Sequence, residues 1–188
     1  KVIDMSRIFS NCCKLTSLDL SSWNTKNVIN MMSVFRNCSS LTSLNLSNFN
    51  TSQVVNMSAM FEGCGNLVEL DLSSFDTSNV TDMRFMFASG IYVGSSIMAL
   101  ERIKGLENFD MSNVTDMEYL FKNCNALVAT INIRGTNCTS YTNMFENAAT
   151  ENGAKITVNY TEDAAELVDK MIATKSSNSN VIKGSIVV

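Results

Sequence analysis

Apolar and polar positions recur along this chain with a period of 26 residues. The stretch from Leu41 to Phe61, LTSLNLSNFNTSQVVNMSAMF, returns almost unchanged at Leu15–Phe35 and at Leu67–Phe87. Phe9, Phe35, Phe61 and Phe87 keep that spacing, as do Leu18, Leu44 and Leu70, and Cys12, Cys38 and Cys64. A fixed period in the twenties is the sequence mark of a solenoid, in which each repeat is one coil and buries its apolar face only against its neighbours. A lone coil cannot bury enough surface to offset the entropy of ordering it, so at least three must stack.

Within one repeat the pattern predicts two elements. In LTSLNLS, Leu44 and Leu46 alternate with Ser43, Asn45 and Ser47, which reads as a short strand with leucines inward and small polar groups outward. Phe49 follows. Val54, Met57, Met60 and Phe61 then fall at i, i+3, i+6 and i+7, a helical spacing. The expected helix is capped by Asn50, Thr51 or Ser52 and ends near Glu62 and Gly63.

The regularity breaks after Phe87. Phe87 to Phe121 spans 34 residues, eight over the period, and the extra text lies in Ala88–Asn108 with Gly90 where cysteine is expected. This insertion either bulges as a loop or widens its coil. Its apolar residues Ile91, Tyr92, Val93, Ile97 and Met98 are expected to pack over the flank or to form a local recognition patch. The repeat resumes at Phe109–Phe121, and Phe121 to Phe145 is a shortened copy of 24 residues with Ile131 and Ile133 as its strand pair. Past Asn152 the pattern predicts a strand at 156–160, an amphipathic helix at 162–175 with Thr161 as cap, and a strand at 181–188. The fold class expected is α/β. It is a leucine-rich-repeat-like solenoid of about five to six coils, one short parallel strand and one short helix in each. Residues 1–150 form the array, and 151–188 a C-terminal β-α-β cap over its open end.

Composition narrows the function classes. Net charge is −4 with no basic stripe, so nucleic acid is not an expected partner. No apolar run is long enough for a membrane span. The chain starts with Lys, inside a repeat, and is read as a piece of a longer protein, reaching a membrane only through an anchor elsewhere. Histidine is absent, which removes the commonest general base and zinc ligand. No Ser/Cys–His pair or phosphate loop is present, and carboxylates are dispersed at repeat spacing instead of paired in a cleft. The chain is therefore expected not to be an enzyme and to need no cofactor; a carboxylate-dyad hydrolase is the reading this dispersal argues against.

The recurring chemistry-bearing residues each have a structural reading. Cys12, Cys38, Cys64 and Cys124 share one repeat position. Stacked strands would set them about 4.8 Å apart, within disulfide reach, although parallel side chains rarely present the needed torsion. Reduced core thiols are expected; disulfides or a metal are the alternatives. Met31, Met57, Met83 and Met117 form a core-facing lane, preferred over a copper or redox role. Asn24, Asn50, Asp76 and Asp110, with Thr25, Thr51 and Thr77, read as turn and cap ladders. The candidate binding residues are the outward strand positions Ser17, Asp19, Ser43, Asn45, Glu69 and Asp71, columns of small polar groups on a broad face. A solvated face without a ligand is the alternative, and Asp19, Asn45 and Asp71 give too few oxygens for a good calcium site.

The text N-V-x-x-M-x-x-M-F-x-x-C-x-x-L-x-x-L-x-L-S-x-F-x-T resembles the 26-residue repeat of BspA-like leucine-rich-repeat surface proteins and lipoproteins of bacteria. Val28, Met31, Phe35, Cys38, Leu41, Leu44, Leu46, Phe49 and Thr51 carry the match, with their equivalents through Phe87 and again from Phe109 to Cys124. It covers roughly residues 4–147; the insertion and the shortened repeat depart from it. The resemblance implies an extracellular, envelope-tethered protein that adheres to a host or bacterial surface protein or glycan. A spacer that presents another domain and binds nothing itself is the second expectation.

Overall fold

The computed structural model describes residues 1–90 and 98–188. The fold is α/β, with a five-stranded sheet of β1 (Glu69–Asp71), β2 (Arg102–Lys104), β3 (Val128–Ile133), β4 (Lys155–Tyr160) and β5 (Val181–Ile186). Neighbouring strands all pair in parallel and in chain order. Helical structure among the described residues is limited to α1 (Ala165–Ile172) and two short 3-10 turns at Leu106–Asn108 and Glu162–Ala164.

The repeated text lies side by side and in register. Phe9, Phe35, Phe61, Phe87, Phe121 and Phe145 form one column, each ring nearly parallel to the next with centroids 5.6–6.0 Å apart. The methionine lane and the valine lane Val28, Val54, Val80 and Val114 are fully buried beside it.

The segment expected to be helical is not helical. Met57, Ala59, Phe61 and Gly63 donate their backbone N–H groups to the carbonyls of Asp82, Arg84, Met86 and Ala88 in the next repeat. The intervening residues Met60, Glu62 and Cys64 donate instead to the carbonyls of Met57, Ala59 and Phe61, three residues back. The same four bonds between repeats, 2.7–3.1 Å long, recur at every junction from Met5 to Glu146. Left-handed backbone at pairs of positions four residues apart makes this possible, as at Ser33 and Asn37, Ala59 and Gly63, and Tyr119 and Asn123. Successive tight turns have nearly the apolar spacing of a helix, so the pattern found the buried face and mistook the backbone.

The ladder also sits on a different side from the one expected. Residues 15–21 and 41–47 are not strands, and no backbone hydrogen bond joins them. Asp19 and Asn45 turn the N–H groups of Ser21 and Ser47 back into their own segments, in competition with a ladder. Pairing on this side begins only at β1 and β2. Leu70 lies opposite Ile103, so residues 98–108 of the insertion join the stack, with Met98, Leu100 and Ile103 buried. The expectation for Ile91, Tyr92, Val93 and Ile97 falls outside the described residues. Gly105, at φ 82°, lies against the Ser73 backbone, where a Cβ would come within 2.5 Å of Ser73 Cα; only glycine fits this exit from β2.

Buried threonines bind the repeats together. The Thr51 hydroxyl donates to the Asp76 carbonyl and accepts from the Asp76 N–H, both at 2.8 Å; Thr25 does the same with Asn50. Thr51 was expected at a helix cap and instead joins neighbours. Thr51→Val, which keeps the shape and strands both groups, should cost about 1–3 kcal/mol by denaturant unfolding, with Thr51→Ser losing less.

The last segment supplies a strand, a helix and a strand at the expected places. The expected caps differ: Thr161 makes no side-chain bond to the helix, and its hydroxyl accepts the Gly135 N–H at 3.0 Å. The loop after α1 ends the Met–Phe ladder, because the Thr174 and Ser176 hydroxyls accept the N–H groups of Phe145 and Asn147.

Candidate binding surfaces on two sides of the repeats

Ser17, Asp19, Ser43, Asn45, Glu69 and Asp71 are all exposed and lie at corresponding repeat positions. The structure gives some of them structural work that the sequence did not reveal. One carboxylate or amide oxygen of Asp19, Asn45 and Asp71 accepts the N–H two residues on, from Ser21, Ser47 and Ser73, at 2.9–3.1 Å. Their residue type is explained by that turn. Ser17, Ser43 and Glu69 have no such role. Cations also join the face, because β2 lies in register with β1. Arg102 pairs with Glu69 at 2.9 Å and Lys104 with Asp71 at 3.9 Å. Beyond them is an open depression of about 590 Å³, lined by Arg102, Lys104, Glu107, Thr130, Lys155 and Thr157 among others. The face is thus polar and acidic over the early repeats and basic over β2 to β4. Arg102 and Lys104 lie in the aperiodic insertion, so the repeat pattern gave no signal for them.

Hydrogen bonding sets the acidity of this face. The Ser21 N–H holds the Asp19 carboxyl below its ordinary value of 3.8, and the Ser73 hydroxyl and N–H do the same for Asp71. Asp4 and Asp76 are lowered likewise by Ser6 and Ser78. Asp82 moves the other way, raised by burial. A lowered folded-state value gives stability that is present above 3.8 and lost as pH falls through the folded value; Asp82 opposes this. The melting temperature should therefore hold between about pH 7 and 5 and fall below about pH 4, more steeply in Asp82→Asn.

The Met–Phe ladder carries a second column, formed by the left-handed residues Arg7, Ser33, Ala59, Phe85, Tyr119 and Asn143, of which Ser33 and Ala59 are buried and Phe85, Tyr119 and Asn143 partly buried. Phe85 and Tyr119 are half-buried and stacked, with centroids 4.7 Å apart, and the Lys122 ammonium lies 5.2 Å from the Tyr119 centroid. Beside Phe85 is a depression of about 150 Å³ lined by Ser33, Arg36, Ser58, Ala59, Glu62 and Arg84 among others. The Arg36 guanidinium bonds the Glu62 carboxylate at 2.7 and 3.3 Å, and Arg84 reaches both Asp82 and Asp116. Sequence reasoning missed this column because it sought aromatics only at the leucine-strand positions. The available signal was Phe85 and Tyr119 appearing where other repeats have small or polar residues.

The six cysteines are free thiols. Cys38, Cys64 and Cys124 donate to the carbonyls of Phe9, Phe35 and Phe87 across the repeat junctions, and burial raises all three, Cys38 to about 11. Among the described residues no three His, Cys, Asp or Glu side chains converge as a metal-ligand set.

In-register 26-residue repeats, a parallel sheet and broad polar faces make this a repeat-built α/β protein. The chain belongs to the family described as "Mycoplasma protein of unknown function, DUF285", a BspA-like repeat family whose model matches residues 3–97, 31–159 and 96–183. The matches overlap, as they do when repeated text fits one model in more than one frame. No curated protein and no solved structure matches the chain.

Proposed function

We propose that this chain is a non-enzymatic adhesion module of a bacterial cell surface, built as a leucine-rich-repeat-like solenoid and recognising a protein or glycan outside the cell. The supporting observation is the continuous exposed face that runs from Ser17, Ser43 and Glu69 onto Arg102, Lys104 and Lys155. Oppositely charged halves on one surface suit a partner of complementary charge pattern and fix its orientation. The family match and the sequence resemblance support the surface reading.

The spacer reading has its own support: turn geometry alone accounts for Asp19, Asn45 and Asp71. The two readings separate in a binding assay on immobilised matrix proteins, glycan arrays and bacterial cells. The comparison is a Ser17→Arg, Ser43→Arg, Glu69→Arg variant, which spares the turn residues. Binding by the parent that the variant loses supports adhesion through this face. Folded proteins that both fail to bind support the spacer.

A further inference from the structure

The depression beside Phe85 has features that neither packing nor the adhesion face explains. Phe85 and Tyr119 hold φ values of 59° and 57°. Left-handed backbone costs a side-chain-bearing residue about 1–2 kcal/mol, and asparagine carries the penalty best. Asn143 stands at this position in the last repeat, and Ser33 and Ala59 in earlier ones, so the backbone does not require an aromatic. Nor does burial account fully for the two rings, because both keep part of their surface open while every ring from Phe35 to Phe145 in the core column is buried. Their mutual stack covers one face of Phe85, and strain kept at a residue whose other face stays partly open points to a function.

The geometry indicates what that function acts on. Tyr119, from the following repeat, covers one face of Phe85. On the other side the column continues with Ala59 and Ser33, which leave the depression where the next ring of the stack would stand. About 150 Å³ is the size of a cavity that admits one six-membered ring. The surrounding groups are polar and fixed. The Glu62 carboxylate is held by Arg36, the Ser58 hydroxyl donates to Asn56, and Arg84 spans two aspartates. An aromatic guest would leave unused the further lone pairs of the Glu62 carboxylate and the Ser58 hydroxyl. A ring with an apolar C–H face and a hydroxyl-bearing edge satisfies both walls, because the electron-rich face of Phe85 attracts the C–H groups and the rim bonds the hydroxyls.

We propose that Phe85, Ala59, Arg36, Glu62 and Arg84 form a subsite for a single uncharged sugar ring stacked on Phe85. This goes beyond the adhesion reading, since the site lies on the Met–Phe ladder and not on the leucine side. It makes Phe85 a specificity-determining residue.

Titration with the methyl glycosides of glucose, galactose and N-acetylglucosamine, followed by saturation-transfer NMR, tests it. The parent should give saturable transfer to at least one glycoside, strongest at protons of one ring face. Phe85→Asn should weaken that binding about tenfold or more while the protein still folds and melts cooperatively, because asparagine suits this backbone. Ala59→Phe, which extends the stack into the depression, should abolish binding. The Ser17→Arg, Ser43→Arg, Glu69→Arg variant should bind the glycosides as the parent does, which separates this site from the adhesion face. No saturable transfer from any glycoside, unchanged binding in Phe85→Asn, or tighter binding of p-cresol than of every glycoside would overturn the proposal. Capture of cells or matrix without glycoside binding would leave the adhesion reading standing and this one refuted.

Discussion

Met57→Asp is expected to abolish the cooperative melt of this protein. The side chain is fully buried in a lane with Met31, Met83 and Met117. Its backbone is fixed on both sides, since its N–H donates to Asp82 and its carbonyl accepts from Met60. A carboxylate there is shut off from solvent, so it must either remain charged at a large desolvation cost or take up a proton and remain a poorly bonded acid. A loss of at least about 4 kcal/mol is expected, against total domain stabilities of about 5–15 kcal/mol. Because each repeat is supported by its neighbours, the damage spreads to both sides of the third repeat. Circular dichroism melts should show a broad transition or none, whereas Met57→Leu should stay within about 1.5 kcal/mol of the parent. An aspartate variant that melts like the parent would contradict the lane.

Phe61→Ala has the second largest expected effect. The ring stacks between Phe35 at 5.7 Å and Phe87 at 6.0 Å, with no exposed surface. Removing it loses the transfer energy of a phenyl group and leaves a void between two rings that the hydrogen-bonded ladders hold apart, about 3–5 kcal/mol in all. Phe35→Ala and Phe61→Ala together should depart from additivity by about 0.5–1.5 kcal/mol, because they share a stacked face. Phe9→Ala should cost less, since Phe9 has a neighbour in the column on only one side and remains partly exposed. Denaturant titration of the three single variants and the double variant would measure both the column and its end effect.

These residues also show how far the sequence alone could reach. Identical letters at a fixed spacing imply identical environments, so the columns through Phe61, Met57 and Cys64 were legible without coordinates. The terminal strand, helix and strand were legible because each carries its own periodicity. The backbone of the Met–Phe segment was not. Turns with left-handed residues at Ala59 and Gly63 put Val54, Met57, Met60 and Phe61 on one side much as a helix would, and of the two only Gly63 is a residue type that signals the difference. On the leucine side, alternation in LTSLNLS correctly separated inner from outer residues yet did not decide which N–H groups would pair across repeats. Asx turns settle that locally, through atoms a hydrophobicity pattern does not register. The candidate face was half visible: Ser17 and Asp71 follow the period, but Arg102, Lys104 and Lys155 depend on register that only the folded sheet establishes.

The direction of the Met–Phe ladder has a consequence for assembly. Four rungs at each junction run from an N–H in one repeat to a carbonyl in the next, against a reverse bond such as Ile29 N–H to the Ile3 carbonyl, so the stack is polar, like a filament with unlike ends. At the trailing end two N–H groups are quenched by Thr174 and Ser176. At the leading end the carbonyls of Asp4, Ser6, Ile8 and Ser10 accept no hydrogen bond among the described residues. A repeat placed before Asp4 would have to present N–H groups to those carbonyls, so the four forward rungs give the array a direction from repeat to repeat.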